Sequence, residues 1–286
     1  MSGNSAKVIP RDWQRWSSIE PSVLWPLGGG LTNQSYLIAA GGEKWVLRKN
    51  STISDALDLN RSGEAAALRH ADKAGLCAPI IYCDPGYQYL VTRYIKGRPW
   101  RVTGADDLKR LVEMLHRIHA LPPINVYLDI RQKISRYWCS IDKRVDFFSE
   151  LQDLNHTIDS RIAAVQTPNS ATCLCHNDLL SANLIAADSG RLYVIDWEYA
   201  AMGDPFYELA VIVEEYRLDK AQQELLIAEY LSGPLRTVDW QRLAHWRAIY
   251  RYLSLLWYAV QWSTGAMREA HTREHIFRSI RELRSL

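Results

Sequence analysis

The stretch from Leu174 to Ala200 constrains this chain more than any other. It reads Leu-Cys-His-Asn-Asp-Leu-Leu-Ser-Ala-Asn-Leu-Ile, a short polar turn around Ser189-Gly190, then Leu-Tyr-Val-Ile-Asp-Trp-Glu-Tyr-Ala. The apolar runs flanking the turn predict a hairpin of Leu184 to Ala186 against Leu192 to Ile195, which brings Asn183 and Asp196 to the same end. Asp178 lies five residues before Asn183. A carboxylate able to accept a proton thus accompanies two hard oxygen ligands of the kind Mg²⁺ prefers. Any one of these acids alone would read as a turn residue, and His176 alone as a buried structural histidine. Two residues before Asp178, His176 is expected to brace the loop by hydrogen bonding rather than to titrate.

The spacing from His176 through Asp178 to Asn183 is H-x-D-x-x-x-x-N, that of a kinase catalytic loop, and Asp196 follows thirteen residues after Asn183. With Asp196-Trp197-Glu198-Tyr199 and Gly203-Asp204-Pro205, the chain resembles the choline, ethanolamine and thiamine kinases of the aminoglycoside phosphotransferase superfamily. Several small-alcohol kinases share Trp-Glu-Tyr after the metal aspartate, so the superfamily is marked more sharply than the subgroup. The resemblance covers nearly the whole chain beyond Ser22. It implies an α+β, two-lobe, protein-kinase-like fold, with a small antiparallel sheet followed by a mainly helical part. It also implies Asp178 as the base, with Asn183 and Asp196 as ligands of Mg²⁺ on ATP.

Residues 22 to 50 read as two strands with a glycine turn between their approach and return. The stretches are Val23 to Trp25, Leu27 through the glycines to Ile38, and Lys44 to Arg48. Gly28 to Gly30 would let backbone N–H groups approach phosphates, although surface turns use glycine triplets as often and this is not G-x-G-x-x-G. In the resemblance Gly29, Gly30, Thr32 and Asn33 belong to the nucleotide-covering loop, and Arg48 takes the place of the kinase strand lysine. Strand alternation points Lys49 to the opposite face. A helix is expected from Asp55 to Gly75, with Glu64 as the implied partner of Arg48; the bland alternative is an exposed helix acid. Two further strands follow at 78–82 and 89–95. The chain then leaves through Lys96-Gly97-Arg98-Pro99, where the resemblance implies that backbone near Tyr94 to Lys96 bonds adenine. The boundary falls there, giving a nucleotide-binding lobe of residues 1–96 and a catalytic and substrate lobe of 97–286.

Helical periodicity then dominates, with an apolar face from Leu108 to His119 and a stripe across 131 to 166. Further helices are expected near 205–217, 219–232, 239–264 and 268–284. His119 reads as a satisfied core histidine. The helix at 239–264 carries Trp240, Trp246, Tyr250, Tyr252, Trp257, Tyr258 and Trp262, much of it core, and the acids Glu198, Asp204, Glu208, Glu214 and Glu215 precede it. The resemblance implies that Glu215 and Trp257 enclose a cationic substrate head, with Glu198 also assigned to substrate. Ser254 stands where the second aromatic of the choline kinase pair would be, which weakens choline relative to thiamine or another amine-bearing alcohol.

A net charge of +2 over 286 residues, without long runs of one sign, gives no footprint for nucleic acid. The first residues lack an apolar signal core. The apolar-leaning stretch Tyr252–Met267 is sixteen residues, short of the roughly 20 that a bilayer needs, and reads as a core helix rather than a membrane segment. Five cysteines without C-x-x-C argue against a disulfide framework and for a reducing cytoplasm. Cys173 and Cys175 beside His176 suggest zinc, but no recognisable fourth ligand lies nearby and strand packing is the better account. The expectation is an ATP- and Mg²⁺-dependent kinase for the hydroxyl of a small cationic alcohol, monomeric or homodimeric. Its rivals are an aminoglycoside-type antibiotic phosphotransferase and a catalytically silent kinase-fold binding module.

Overall fold

A computed structural model describes residues 8–28, 32–166 and 172–285; Gly29 and Gly30 lie outside the described residues. Alternating apolar residues near the N-terminus form three strands rather than two: β1 (Ser22–Leu27), β2 (Gln34–Ala40) and β3 (Glu43–Lys49). The stretch from Leu27 to Ile38 divides between β1 and β2, while β3 covers the expected run Lys44 to Arg48 and follows a turn in which Gly41 and Gly42 both take positive φ, 58° and 82°. Two such residues make the tight turn whose twist suits a hairpin, pairing Ala40 with Glu43. Helix α1 (Arg61–Lys73) starts later than Asp55, because Asn60 caps it by accepting the Gly63 N–H. It stops at Gly75, as expected, with φ 61°. Strands β4 (Ile80–Cys83) and β5 (Tyr89–Arg93) complete an antiparallel sheet of order β1-β2-β3-β5-β4.

Strand β6 (Gly97–Pro99) carries the chain away from that sheet. Then come α2 (Ala105–His119), α3 (Ile130–Ser140), α4 (Phe148–Val165) and β7 (Cys173–Cys175). The continuous helix expected over 131–166 is in fact two. Asp142 breaks it: its carboxylate accepts the Arg144 N–H, a local bond that competes with the helix, while its own N–H goes to Ser263 Oγ. The expected hairpin is β8 (Leu184–Ala187) with β9 (Leu192–Val194), and β6 pairs with β8. That pairing needs glycine at 97, since a Cβ there would overlap the Ala186 carbonyl. Strand β10 (Ala201–Gly203) pairs with β7.

The chain ends in α5 (Pro205–Glu215), α6 (Lys220–Leu231), α7 (Thr237–Thr264) and α8 (Ala270–Arg284). Helix α7 packs against α3, α4, α5 and α8 and buries Trp246, Ile249, Tyr252, Leu256 and Val260, so much of its aromatic content is core. No helix among the described residues is long and apolar enough to cross a membrane.

Candidate active site

Strand β7 delivers the chain into a loop whose backbone is fixed on three sides. Asn177 takes φ 63°, its N–H donates to Glu208 Oε1 at 2.9 Å and its amide to the Tyr199 carbonyl at 3.0 Å. His176 is fully buried, donates from Nε2 to the Ile195 carbonyl at 3.0 Å, and accepts the Asp178 N–H at 3.3 Å. Burial lowers its pKa, so a neutral imidazole braces the loop, the role its spacing suggested. Asn183 Nδ2 donates to Asp178 Oδ2 at 2.9 Å and to the Asp178 carbonyl at 2.8 Å. The Ile195 N–H meets the Asn183 carbonyl at 2.9 Å, so the hairpin returns Asp196 beside Asn183. Asp196 itself sits at φ 62°, a strained conformation for a non-glycine residue of the kind that clusters at functional sites.

From the sheet, Arg48 on β3 reaches Glu64 Oε1 at 2.5 Å and Asp196 Oδ1 at 3.0 Å. The sequence reading missed Arg61, which pairs with Glu64 and Glu198, both at 2.9 Å, and donates to Asn33 Oδ1 at 3.0 Å. Its position three residues before Glu64 at a helix start was the available signal. Asn33 Nδ2 donates to Glu198 Oε2 at 2.7 Å. Glu198 thus pairs with Asn33 and Arg61, and its hydrogen bonds do not go to Trp257. Two guanidiniums meet the buried carboxylates of Glu64 and Glu198 and the half-buried one of Asp196 here, with Asp178 close by. Burial first, then neighbouring acids, push Asp178 well up and Glu198 to about 7, and burial also raises Asp196. The spare negative charge and the oxygen donors of Asn183 and Asp196 suit a hard dication such as Mg²⁺.

At the exit of the sheet, the Tyr94 N–H is engaged by the Lys44 carbonyl and the Lys96 carbonyl accepts the Asp188 N–H. The Lys96 ammonium is 84% exposed and pairs with Asp188. Thr32 is half-buried just before β2.

On the other side of Asp178 the wall is aromatic. Trp257 Nε1 donates to the Tyr199 hydroxyl at 2.9 Å, the Tyr250 hydroxyl donates to Glu215, and the Tyr207 and Tyr250 rings meet edge to face. Glu215 is close enough to help raise Asp178. Lys133 was unforeseen. Its ammonium lies 5.2 Å and 5.1 Å from the Tyr137 and Tyr199 ring centres and donates to the Leu57 and Asp58 carbonyls. Burial lowers it to about 8. No local sequence signal marks this lysine, because its partners come from distant segments.

Behind the loop, Glu208 is fully buried and its second oxygen lies 2.7 Å from His119 Nε2, whose Nδ1 is 2.8 Å from the Tyr230 hydroxyl. The histidine is satisfied, as the sequence suggested. Despite burial, Cys173 and Glu208 raise His119 to about 9. The Cys175 thiol and His119 lower Cys173 to about 6.

Residues 24–246 match the phosphotransferase enzyme family. The chain is 28% identical over 253 residues to protein LicA of Haemophilus influenzae, covering 80% of this chain and 70% of that protein. It is 25% identical over 264 residues to the thiamine kinase of Salmonella paratyphi B, covering 88% of each. Its fold matches that of the choline kinase LicA from Streptococcus pneumoniae with a TM-score of 0.80 at 21% identity, over 98% of this chain and 99% of that one. The match spans both the sheet that presents Arg48 and the loop that presents Asp178, and the chain therefore belongs to the phosphotransferase enzyme family, as a small-molecule phosphotransferase.

Proposed function

We propose that this enzyme transfers the γ-phosphoryl group of ATP, bound with Mg²⁺, to the hydroxyl of a small cationic alcohol such as choline, ethanolamine or thiamine. The observation that carries the reading is the placement of Asp178 between a buried, acid-rich polar network and an aromatic wall bearing Glu215. Asp178, oriented by Asn183 Nδ2, accepts the proton of the attacking hydroxyl. Asn183 and Asp196 hold the metal, which when bound neutralises charge on the transferring phosphates. Arg48, positioned by Glu64, adds positive charge on the same side. Thr32, Asn33 and the undescribed Gly29 and Gly30 cover the nucleotide, and backbone between Tyr94 and Lys96 faces adenine. On this reading residues 1–96 form the nucleotide-binding lobe and 97–286 the catalytic and substrate lobe. The described cysteines are free thiols, which suits a reducing cytoplasm.

A cation over an aromatic face gains about 0.5–2 kcal/mol, depending on its desolvation. Glu215 and Trp257 would supply the carboxylate and the ring. A large aminoglycoside would need a wide acidic cleft, whereas here Lys133 already occupies the space between Tyr137 and Tyr199. The test is ADP release from Mg·ATP with choline, ethanolamine, thiamine and kanamycin. Turnover with a small cationic alcohol is expected. Turnover with kanamycin alone would favour the antibiotic phosphotransferase, and no turnover with any alcohol would favour the silent binding module.

A further inference from the structure

Cys173 and Cys175 alternate with Leu174 along β7, so both thiols leave the same face of the strand. Their sulfur atoms are 3.6 Å apart. A third donor arrives from α2, because a ring nitrogen of His119 lies within 4.8 Å of both sulfurs. Two thiolates bound at about 2.3 Å to a tetrahedral Zn²⁺ sit about 3.8 Å apart, and a thiolate and an imidazole nitrogen about 3.6 Å apart. The sulfur pair already has that spacing, and the histidine needs to close by little more than about 1 Å. Its ring is also held in advance. Glu208 Oε2 at 2.7 Å from His119 Nε2 makes the carboxylate–histidine contact that orients ligating imidazoles, which leaves Nδ1 as the ligand atom once it gives up its 2.8 Å contact with the Tyr230 hydroxyl.

We propose that His119, Cys173 and Cys175 form a binding site for one thiophilic divalent ion, Zn²⁺ being the ion that two sulfurs and one nitrogen suit. Water completes the coordination. Cys175 is fully buried and Cys173 half-buried, so the ion enters on the Cys173 side. Two protons leave for each ion bound, the equivalent of one from each thiol, because the metal takes cysteine as thiolate and histidine as neutral imidazole. The site adjoins the catalytic loop, since Cys175 directly precedes His176 and Glu208 also accepts the Asn177 N–H. Metal binding does not depend on the phosphotransferase reading.

The full-length protein, kept reduced with a phosphine, is titrated with Cd²⁺ and Zn²⁺, following the thiolate-to-cadmium charge-transfer absorption and metal content after dialysis. One ion per chain is expected. Cys173→Ser and His119→Gln should each weaken binding by more than about 100-fold, beyond the usual loss for an outer-shell partner, while Cys139→Ser, which removes an exposed lone thiol, should leave it unchanged. Because His119 bridges α2 to Glu208, His119→Gln may not be counted unless its circular dichroism matches the parent; the half-buried Cys173→Ser decides the matter by itself. Absence of the charge-transfer band, or stoichiometric binding that survives Cys173→Ser, would overturn the site.

Discussion

Asp196 combines three constraints: a left-handed backbone, an ion pair to Arg48, and a place at the end of β9 beside Asn183. Asp196→Ala is expected to abolish Mg²⁺-dependent nucleotide binding, because Asn183 alone is a poor anchor for a hard dication. Calorimetry showing unaltered Mg·ATP affinity would count against the assignment. Lys133 offers a test of its burial that needs no substrate. Its ordinary pKa is about 10.4, and burial lowers it to about 8 in the folded protein. Between those values the unfolded chain binds more protons, so wild type gains stability relative to Lys133→Met as pH rises from about 8 to 10.4, by up to roughly 3 kcal/mol. Denaturant melts of both proteins at pH 7.5 and 10 measure the difference, and a fall with pH would refute it. Asp178, Asn183 and Asp196 were legible because one loop and one hairpin hold them within a short stretch. Arg61 and Lys133 were not, because their value depends on Glu198, Asp58 and Tyr199 arriving from elsewhere in the chain.

Elements were legible where a local signal fixed them. The β8–β9 hairpin follows from two apolar runs and a polar turn, and α1 ends where Gly75 allows a positive φ. The single helix read over 131–166 failed because periodicity continues through a segment in which Asp142 satisfies the backbone differently. The link from the first sheet to the hairpin is sharper than composition shows. Gly97→Val should push β6 off β8, since its Cβ would overlap the Ala186 carbonyl, and overpacking of this sort costs about 1–3 kcal/mol. Thermal melting checks this, with Gly233→Ala as control because the nearest atom to a Cβ there is 4.0 Å away. Equal shifts for the two variants would contradict the close approach.

At the scale of the molecule, the candidate site is made where the N-terminal sheet and α1 meet the β8–β9 hairpin. Arg48 to Asp196, Arg61 to Glu198 and Asn33 to Glu198 all cross that junction. The aromatic wall lies on the helical side, from Tyr199, α5 and α7. If choline is the substrate, its neutral isostere 3,3-dimethylbutanol should lose on the order of tenfold or more in kcat/KM, about 1.4 kcal/mol. Trp257→Leu should shrink that gap while ATP binding persists. Equal losses for charged and neutral alcohols would make Trp257 a packing residue.

On the proposed function, Asp178 deprotonates an alcohol that then receives the ATP phosphoryl group. The most direct test of this follows ADP and the phosphate ester together, in wild type and in Asp178→Asn, with the alcohol that supports turnover. The expected result is one ester per ADP in wild type, and a kcat lower by roughly 10²–10⁴ in the variant at little-changed ATP affinity. ADP formed without ester, or near-normal turnover by Asp178→Asn, would contradict it.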